Sequence, residues 1–367
     1  MIADSETGQW KPFDFDRLLS QIPELAKLDC SIDTHAFNDP IDSSDMSPAI
    51  WGQLARIIQQ NYHLYDGFVI LHGTDTMSYT ASALSYMLQN LAKPVILTGS
   101  QLPIGIIRTD GKENLITAIE IAAARATEPI ADRAVDRREG PVSDRICFRP
   151  LVPEVAIYFE YKLYRGNRTH KYSAEDFDAF HSPNYPLLAQ AGVNIVFNQQ
   201  HIALPATGNL TVQTEMESSV GVLKLFPGIS PAFVRSVLAS PGLKGLVLET
   251  FGSGNGPSEA WLLQSLKAAI EDGIVIVNVT QCAAGRVEMG LYRSGSGFLD
   301  VGVVGGCDIT TEAALTKLMY LMAFPCDPQQ IRQRFALPVA GELTPSPSMR
   351  SHDSLPNSVL HHPQLRG

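Results

Sequence analysis

A threonine, an aspartate and a second threonine lie directly after one apolar segment of the chain. Phe68-Val69-Ile70-Leu71 leads into His72-Gly73-Thr74-Asp75-Thr76-Met77. Open α/β sheets bind their ligands at the ends of such strands. There the Asp75 carboxylate can hold an ammonium group, and the Thr74 hydroxyl can pass a proton or hold an attacking water. The same residue types also cap helices, so the pattern by itself leaves both roles open.

Alternating helix and strand patterns predict the framework that positions these residues. Strands are predicted at residues 68–71 and 95–97, and helices are predicted to begin at Ser47-Pro48 and Asp110-Gly111. The helix between the two strands is predicted to have an apolar face made of Ala81, Leu84, Leu88 and Leu91. Continuous apolar strands between amphipathic helices predict a parallel α/β sheet with helices on both faces.

The second half of the chain repeats this alternation and predicts a second, smaller α/β domain. Apolar strands are predicted at residues 220–226, 245–248 and 274–279. A capped helix is predicted to start at Ser230-Pro231. Two α/β domains in one chain are therefore predicted.

The domain boundaries follow from these patterns. We predict an N-terminal domain over residues 1–200, a linker over 201–219 and a C-terminal domain over 220–344. Residues 131–151 carry clustered charge without a sustained period, which predicts an extra exposed loop. Residues 345–367 are rich in proline, serine and histidine, which predicts a disordered tail.

Composition narrows the classes of function. The formal net charge is -10, so the chain lacks the overall basic character that nucleic-acid binding needs, and no such partner is predicted. No segment approaches the roughly 18 apolar residues that span a bilayer, and the first ten residues show no signal peptide, so we expect a cytoplasmic protein without a membrane partner. The five cysteines are scattered and never spaced as Cys-x-x-Cys, so neither a disulfide framework nor a zinc site is predicted.

Five sequence blocks, in order along the chain, resemble the type I, cytoplasmic branch of the bacterial L-asparaginases. The resemblance runs from about residue 1 to Leu343. Its blocks are Asp-Ser-Ser-Asp-Met at 42–46, His-Gly-Thr-Asp-Thr-Met at 72–77, Thr-Gly-Ser-Gln-Leu-Pro at 98–103, and residues 163–171 and 248–255. A lone Gly-Thr-Asp-Thr would be weak, whereas the ordered series is specific. It implies a larger N-terminal parallel-sheet domain and a smaller flavodoxin-like C-terminal domain.

The resemblance also implies an activity and a set of site residues. Such enzymes hydrolyse L-asparagine to L-aspartate and ammonia through a threonine nucleophile and an acyl-enzyme, without a metal or an organic cofactor. Thr74, Asp75 and Lys171 match the second catalytic group, and Asp75 would also hold the substrate's α-amino group. Asp42, Ser43 and Ser44 match the segment that binds its α-carboxylate. The partner implied is a small molecule, L-asparagine, and the assembly implied is a homodimer or homotetramer.

The chain departs from the family pattern at its first residues. The primary nucleophile of these enzymes lies in a Thr-Gly-Gly-Thr-Ile-Gly strand, whereas residues 1–8 here resemble the mobile loop that follows that strand. We therefore expect that the start codon is assigned too late, and that the 367-residue polypeptide has little or no activity. Reading the in-frame codons upstream of Met1 tests this expectation.

Two alternatives remain beside an asparagine amidohydrolase. One is a non-catalytic remnant that binds an amino acid, and the other is the asparaginase-like subunit of a tRNA amidotransferase, which usually carries an additional N-terminal domain.

A further departure from the family pattern concerns regulation. Family members that asparagine activates carry an arginine where this chain has Glu249, which argues against cooperative activation at that position.

Overall fold

The computed structural model describes residues 2–3, 10–11, 22–104, 106–126, 150–290 and 293–345. The predicted loop at 131–151, apart from its last two residues, and the predicted tail from residue 346 onward lie outside these ranges. The proposed boundaries at 200, 219 and 344 stay predictions.

The strands are β1 (Ile2–Ala3), β2 (Trp10–Lys11), β3 (Phe68–Leu71), β4 (Leu88–Gln89), β5 (Val95–Thr98), β6 (Val155–Phe159), β7 (Lys162–Arg165), β8 (His170–Lys171), β9 (Phe180–His181), β10 (Ala189–Ala191), β11 (Ile195–Phe197), β12 (Thr211–Val212), β13 (Val220–Lys224), β14 (Gly245–Thr250), β15 (Val275–Thr280) and β16 (Val304–Gly305). The helices are α1 (Pro48–Asn61), α2 (Met77–Met87), α3 (Gly111–Ala123), α4 (Pro231–Leu238), α5 (Ala260–Glu271), α6 (Arg293–Asp300), α7 (Thr311–Met322) and α8 (Pro328–Phe335). Short 3-10 helices cover Pro23–Lys27, Ser43–Asp45 and Gly166–Arg168.

The first sheet is mixed. Its strand order is β11-β10-β7-β6-β5-β3, in which β3, β5 and β6 run parallel and β7, β10 and β11 run antiparallel to their neighbours. The predicted α/β class with a parallel sheet is confirmed, and the antiparallel strands are an addition. The first of them, β7, follows β6 through a tight hairpin in which Glu160 and Tyr161 adopt positive φ values of 45° and 64°.

The second sheet is fully parallel, with the order β13-β14-β15-β16. Successive residues of β14 point to opposite faces, as strand geometry requires. Leu246 and Leu248 pack with α4 and α5, while Val247 packs with α7 and α8. At the start of α4, the Ser230 side chain accepts a hydrogen bond from the Phe233 N–H, so the predicted cap is confirmed.

One predicted helix ends earlier than its sequence pattern suggests. Helix α2 stops at Met87, so the predicted apolar face is wrong for Leu88 and Leu91. Leu88 belongs to β4, which pairs antiparallel with β12, and β12 lies inside the predicted linker 201–219. Apolar residues at helical spacing do not distinguish a continuing helix from a strand when a distant partner supplies backbone hydrogen bonds. The linker region is therefore partly attached to the first half of the chain.

Strand β3, which leads into the candidate site, forms an edge of the first sheet as far as the structure describes the chain. Its residues are half-buried except Leu71, which is 38% exposed, whereas β5 and β6 are buried throughout. Strand β3 is therefore entirely apolar in sequence but less buried than β5 and β6.

Candidate active site

The segment after β3 is held close to the 3-10 helix Ser43–Asp45. A Cβ on Gly73 would lie 2.5 Å from Ser43 Oγ, so only glycine permits this approach. Thr76 Oγ1 donates to the Ser43 carbonyl at 2.6 Å. Two segments that are thirty residues apart in sequence are joined beside Thr74 and Asp75 by these contacts.

Lys171 meets both Thr74 and Asp75. Its Nζ atom donates to Thr74 Oγ1 at 2.9 Å and to Asp75 Oδ1 at 2.5 Å. The Lys171 side chain is 17% exposed, whereas that of Asp75 is 63% exposed. The structure thus brings together the three residues predicted to form the catalytic group, and it leaves one of them open to solvent.

The segment that carries Lys171 is anchored from several sides. Asn167 and Arg168 are buried and donate to the carbonyls of Ala340 and Gly341 at 2.9 and 2.7 Å. His170 Nδ1 lies 2.5 Å from Glu312 Oε1 on α7, and this hydrogen bond raises the pKa of His170. The position of Lys171 therefore depends on residues that follow the second sheet as well as on its own strand.

The three predicted α-carboxylate residues are arranged unequally. Ser43 is buried against Gly73, while Asp42 and Ser44 are exposed. Asp42 Oδ1 accepts the Ser44 N–H at 2.8 Å, which caps the 3-10 helix Ser43–Asp45. Asp42 thus has a local structural role in the described geometry, and Ser43 is the member of this set that borders the Thr74 segment.

His72 stabilises the turn before Thr74. Thr80 Oγ1 accepts from Trp51 Nε1 at 2.9 Å, which leaves the Thr80 hydroxyl proton for His72 Nε2 at 2.8 Å. This tautomer places a proton on His72 Nδ1, which donates to the Gly73 carbonyl at 2.6 Å. Burial lowers the pKa of His72, so the imidazole is held neutral. Its role is to fix the glycine turn.

Gln101 is a site residue that the sequence analysis did not single out. Thr74 Oγ1 donates to Gln101 Oε1 at 3.1 Å, and Gln101 Nε2 donates to the Asp176 carbonyl at 2.9 Å. The signal was present in the block at 98–103, because β5 is the parallel neighbour of β3 and the ends of adjacent strands meet at the same edge. Nothing in the spacing indicated which residue of that block reaches Thr74.

No group of three or more His, Cys, Asp or Glu side chains that can hold a metal ion occurs in the described ranges. The described helices also include none that is long and apolar enough to cross a membrane. The absence of a cofactor stays a prediction from the sequence. The arrangement itself offers a lysine ammonium, a hydroxyl and an exposed carboxylate, which suit an amino-acid substrate and proton handling.

Comparison with known proteins gives consistent matches along the chain. The family model described as "Asparaginase, N-terminal" matches residues 1–134 and 145–203, and "Glutaminase/Asparaginase C-terminal domain" matches residues 219–335. L-asparaginase 1 of Escherichia coli K12 is 43% identical, with 90% of each chain covered. A glutamyl-tRNA(Gln) amidotransferase subunit of Pyrococcus furiosus is 32% identical over 93% of this chain and 74% of its own length. The crystal structure of L-asparaginase I from Vibrio cholerae matches with a TM-score of 0.78 and 38% identity, over 91% of this chain and 93% of that one.

Proposed function

Because the chain belongs to the glutaminase/asparaginase family, we propose that it is an amidohydrolase that converts L-asparagine to L-aspartate and ammonia. The observation that carries this proposal is the contact of Lys171 Nζ with both Thr74 Oγ1 and Asp75 Oδ1. A hydroxyl beside a lysine and a carboxylate can take part in proton transfer, which an isolated threonine does poorly.

Asp75 binds the α-ammonium group of the substrate in this proposal. Its side chain is 63% exposed and one of its oxygens contacts Lys171, so the carboxylate retains capacity for a second cation. Ser43 and Ser44, with Asp42 as their local cap, bind the α-carboxylate. The close approach of Ser43 to Gly73 supports this, because the segment of Ser43 then borders the segment that carries Asp75.

The attacking group in this proposal is a threonine hydroxyl that forms an acyl-enzyme, as the family resemblance implies. A cytoplasmic location, a homodimer or homotetramer and the absence of a cofactor are likewise proposals.

The test combines binding with turnover. Isothermal titration with L-aspartate and an ammonia-release assay with L-asparagine are applied to the 367-residue chain and to a form extended by its in-frame upstream codons. We expect both forms to bind L-aspartate and the extended form to release ammonia. Binding without turnover in both forms would support the amino-acid-binding alternative, and the absence of both binding and turnover in the two forms would contradict the proposed function.

The tRNA amidotransferase alternative has weaker support. The relative of that name is 32% identical, against 43% for the relative named L-asparaginase. With a net charge of -10, the chain also lacks the overall basic character that tRNA binding needs. Release of free ammonia from L-asparagine, without any tRNA, distinguishes the two.

A further inference from the structure

The Thr74 hydroxyl lies between two partners of opposite hydrogen-bonding character. Lys171 Nζ is 2.9 Å from Thr74 Oγ1, and an ammonium group can only donate. Thr74 Oγ1 therefore accepts from Lys171. Its single proton is then directed to the other neighbour, Gln101 Oε1, at 3.1 Å.

The amide of Gln101 is oriented by its second contact. The nitrogen Nε2 lies 2.9 Å from the main-chain carbonyl of Asp176, which can only accept, so Nε2 faces Asp176 and Oε1 faces Thr74. A reversed amide would place two acceptors against each other at Asp176. The orientation of Gln101 thus determines the orientation of the Thr74 hydroxyl.

The backbone of Gln101 is fixed as well. Its N–H donates to both carboxylate oxygens of Asp110, at 3.1 and 2.9 Å. Asp110 Oδ1 also accepts the Leu102 N–H at 3.1 Å, and Asp110 Oδ2 accepts from Asn114 Nδ2 at 3.1 Å. Gln101 is therefore held at its main chain and at its side chain before any substrate arrives.

We propose that Gln101 is a positioning residue that keeps the Thr74 hydroxyl proton directed away from the reacting groups, so that Thr74 faces the attacking group as a hydrogen-bond acceptor. The three hydrogen bonds form a chain in which each residue donates to the next: Lys171 donates to Thr74, Thr74 to Gln101, and Gln101 to the Asp176 carbonyl. A hydroxyl has two acceptor positions, and Lys171 occupies one of them. The other is free to accept the O–H of an attacking hydroxyl or water. This inference deepens the proposed function and rests on it for its catalytic meaning.

Neutron diffraction from deuterium-exchanged crystals of the 367-residue chain tests the orientation directly. We expect deuterium on Thr74 Oγ1 along the line to Gln101 Oε1, and two deuterium atoms on the Gln101 nitrogen that faces Asp176. Deuterium on Thr74 directed at Lys171 or Asp75, or a Gln101 nitrogen facing Thr74, would overturn the proposal. This measurement needs no turnover, so it separates failure of this inference from failure of the proposed function.

Kinetics then test the consequence in whichever form of the chain turns over L-asparagine. Gln101→Met keeps a similar length but removes both hydrogen bonds, and we expect kcat to fall about 10-fold or more while KM stays within about 3-fold. Gln101→Glu still accepts from Thr74 but cannot donate to Asp176, so we expect it to retain more of kcat than Gln101→Met does. The exposed Gln60 of α1 provides the matched control, Gln60→Met, with unchanged constants.

A purely structural role gives a different pattern. If Gln101→Met lowers the melting temperature or raises KM while kcat stays unchanged, Gln101 only supports the loop that contains Asp176 and the positioning role is overturned. Equal kcat values for Gln101→Met and Gln101→Glu, both below that of the wild type, would also contradict the acceptor argument.

Discussion

Two lysine–carboxylate pairs in this molecule have the same length and opposite surroundings. Lys171 Nζ lies 2.5 Å from Asp75, and Lys317 Nζ lies 2.5 Å from Glu342. Both side chains of the second pair are 0% exposed, whereas Asp75 is 63% exposed. We call Lys171–Asp75 the open pair, because its carboxylate faces solvent, and Lys317–Glu342 the closed pair, because both of its side chains are buried.

The closed pair has its hydrogen-bonding capacity filled by the protein. Lys317 Nζ also donates to the carbonyls of Phe335 and Leu337 at 2.8 and 2.6 Å. Glu342 accepts the N–H groups of Val339 and Ala340, with distances between 2.7 and 3.1 Å. A pair in this state has no position left for a ligand. Its role is to fasten residues 339–342 to α7.

The open pair lacks this saturation. Asp75 can therefore exchange water for a substrate cation, and Lys171 can share its donors with Thr74. Breaking a buried pair costs several kcal/mol because it leaves an unpaired buried charge. Removing Lys171 leaves the Asp75 carboxylate 63% exposed to solvent, so its loss should cost about as little as the loss of a surface pair, about 0–1 kcal/mol. The comparison predicts that changes to the two pairs have separable effects on activity and on stability.

The largest effect is expected for Lys171→Met. Turnover of L-asparagine, in whichever form of the chain is active, should fall about 10²–10⁴-fold, since a proton-handling group is removed. The free energy of unfolding in urea should change by about 1 kcal/mol or less. Lys267→Met serves as the control, because Lys267 and Glu271 form an exposed helical pair at 3.8 Å. A Lys171→Met protein with wild-type turnover would contradict the proposed site.

The next effect is expected for Lys317→Met. It leaves the Glu342 carboxylate buried without its cation, so the free energy of unfolding should fall by about 3–5 kcal/mol. Lys317→Met combined with Glu342→Gln should regain part of this loss, because glutamine removes the charge and still accepts a backbone N–H. Denaturant unfolding measures both, and a loss no larger than that of Lys267→Met would show that the closed pair is not stabilising.

Asp75→Asn tests the substrate role of the open pair. An amide cannot neutralise the α-ammonium group, so the dissociation constant of L-aspartate should rise about 10-fold or more. Isothermal titration checks this, with Asp66→Asn as the control, because Asp66 is an exposed carboxylate paired with Arg125. Unchanged affinity in Asp75→Asn would assign the α-ammonium group to another residue.

The smallest effect is expected for the pH dependence of stability, through His170, which lies next to Lys171 of the open pair. The hydrogen bond to Glu312, with a further contribution from Glu249, outweighs the opposing effect of burial and raises the pKa of His170 above its usual 6.5. A raised pKa stabilises the fold fully below pH 6.5, and this stabilisation is lost as the pH rises through the raised value. Melting temperatures should therefore fall less between acid and alkaline pH in His170→Gln than in the wild type. The exposed His63 provides the control, His63→Gln.

The sequence predicted the residues of the open pair better than those of the closed pair. The family resemblance is confirmed, and Thr74 and Asp75 were identifiable because a strand, a glycine and polar residues are contiguous there. Lys171 was identified by the resemblance, since a lysine of unknown surroundings is expected at the surface. Glu342 gave no signal, because its burial depends on α7 reaching a segment at the end of the described chain.

Tertiary contacts also account for what the sequence did not show in the fold. Gln101 reaches Thr74 because β3 and β5 are neighbours, and the orientation of its amide is set by Asp176, which lies 75 residues later in the chain. The antiparallel strand β7 depends on positive φ values at Glu160 and Tyr161, where the glycine or asparagine that usually indicates such a turn is absent from the sequence.

The most direct test measures Lys171→Met and Lys317→Met side by side, each for turnover per folded molecule and for the free energy of unfolding. We predict a crossed result: Lys171→Met loses turnover by at least about 10²-fold and keeps its stability, while Lys317→Met loses about 3–5 kcal/mol of stability and a much smaller factor of turnover, because Ala340 and Gly341 also anchor the segment of Lys171. Parallel losses of stability and turnover in both variants would contradict the division between an open, functional pair and a closed, structural one.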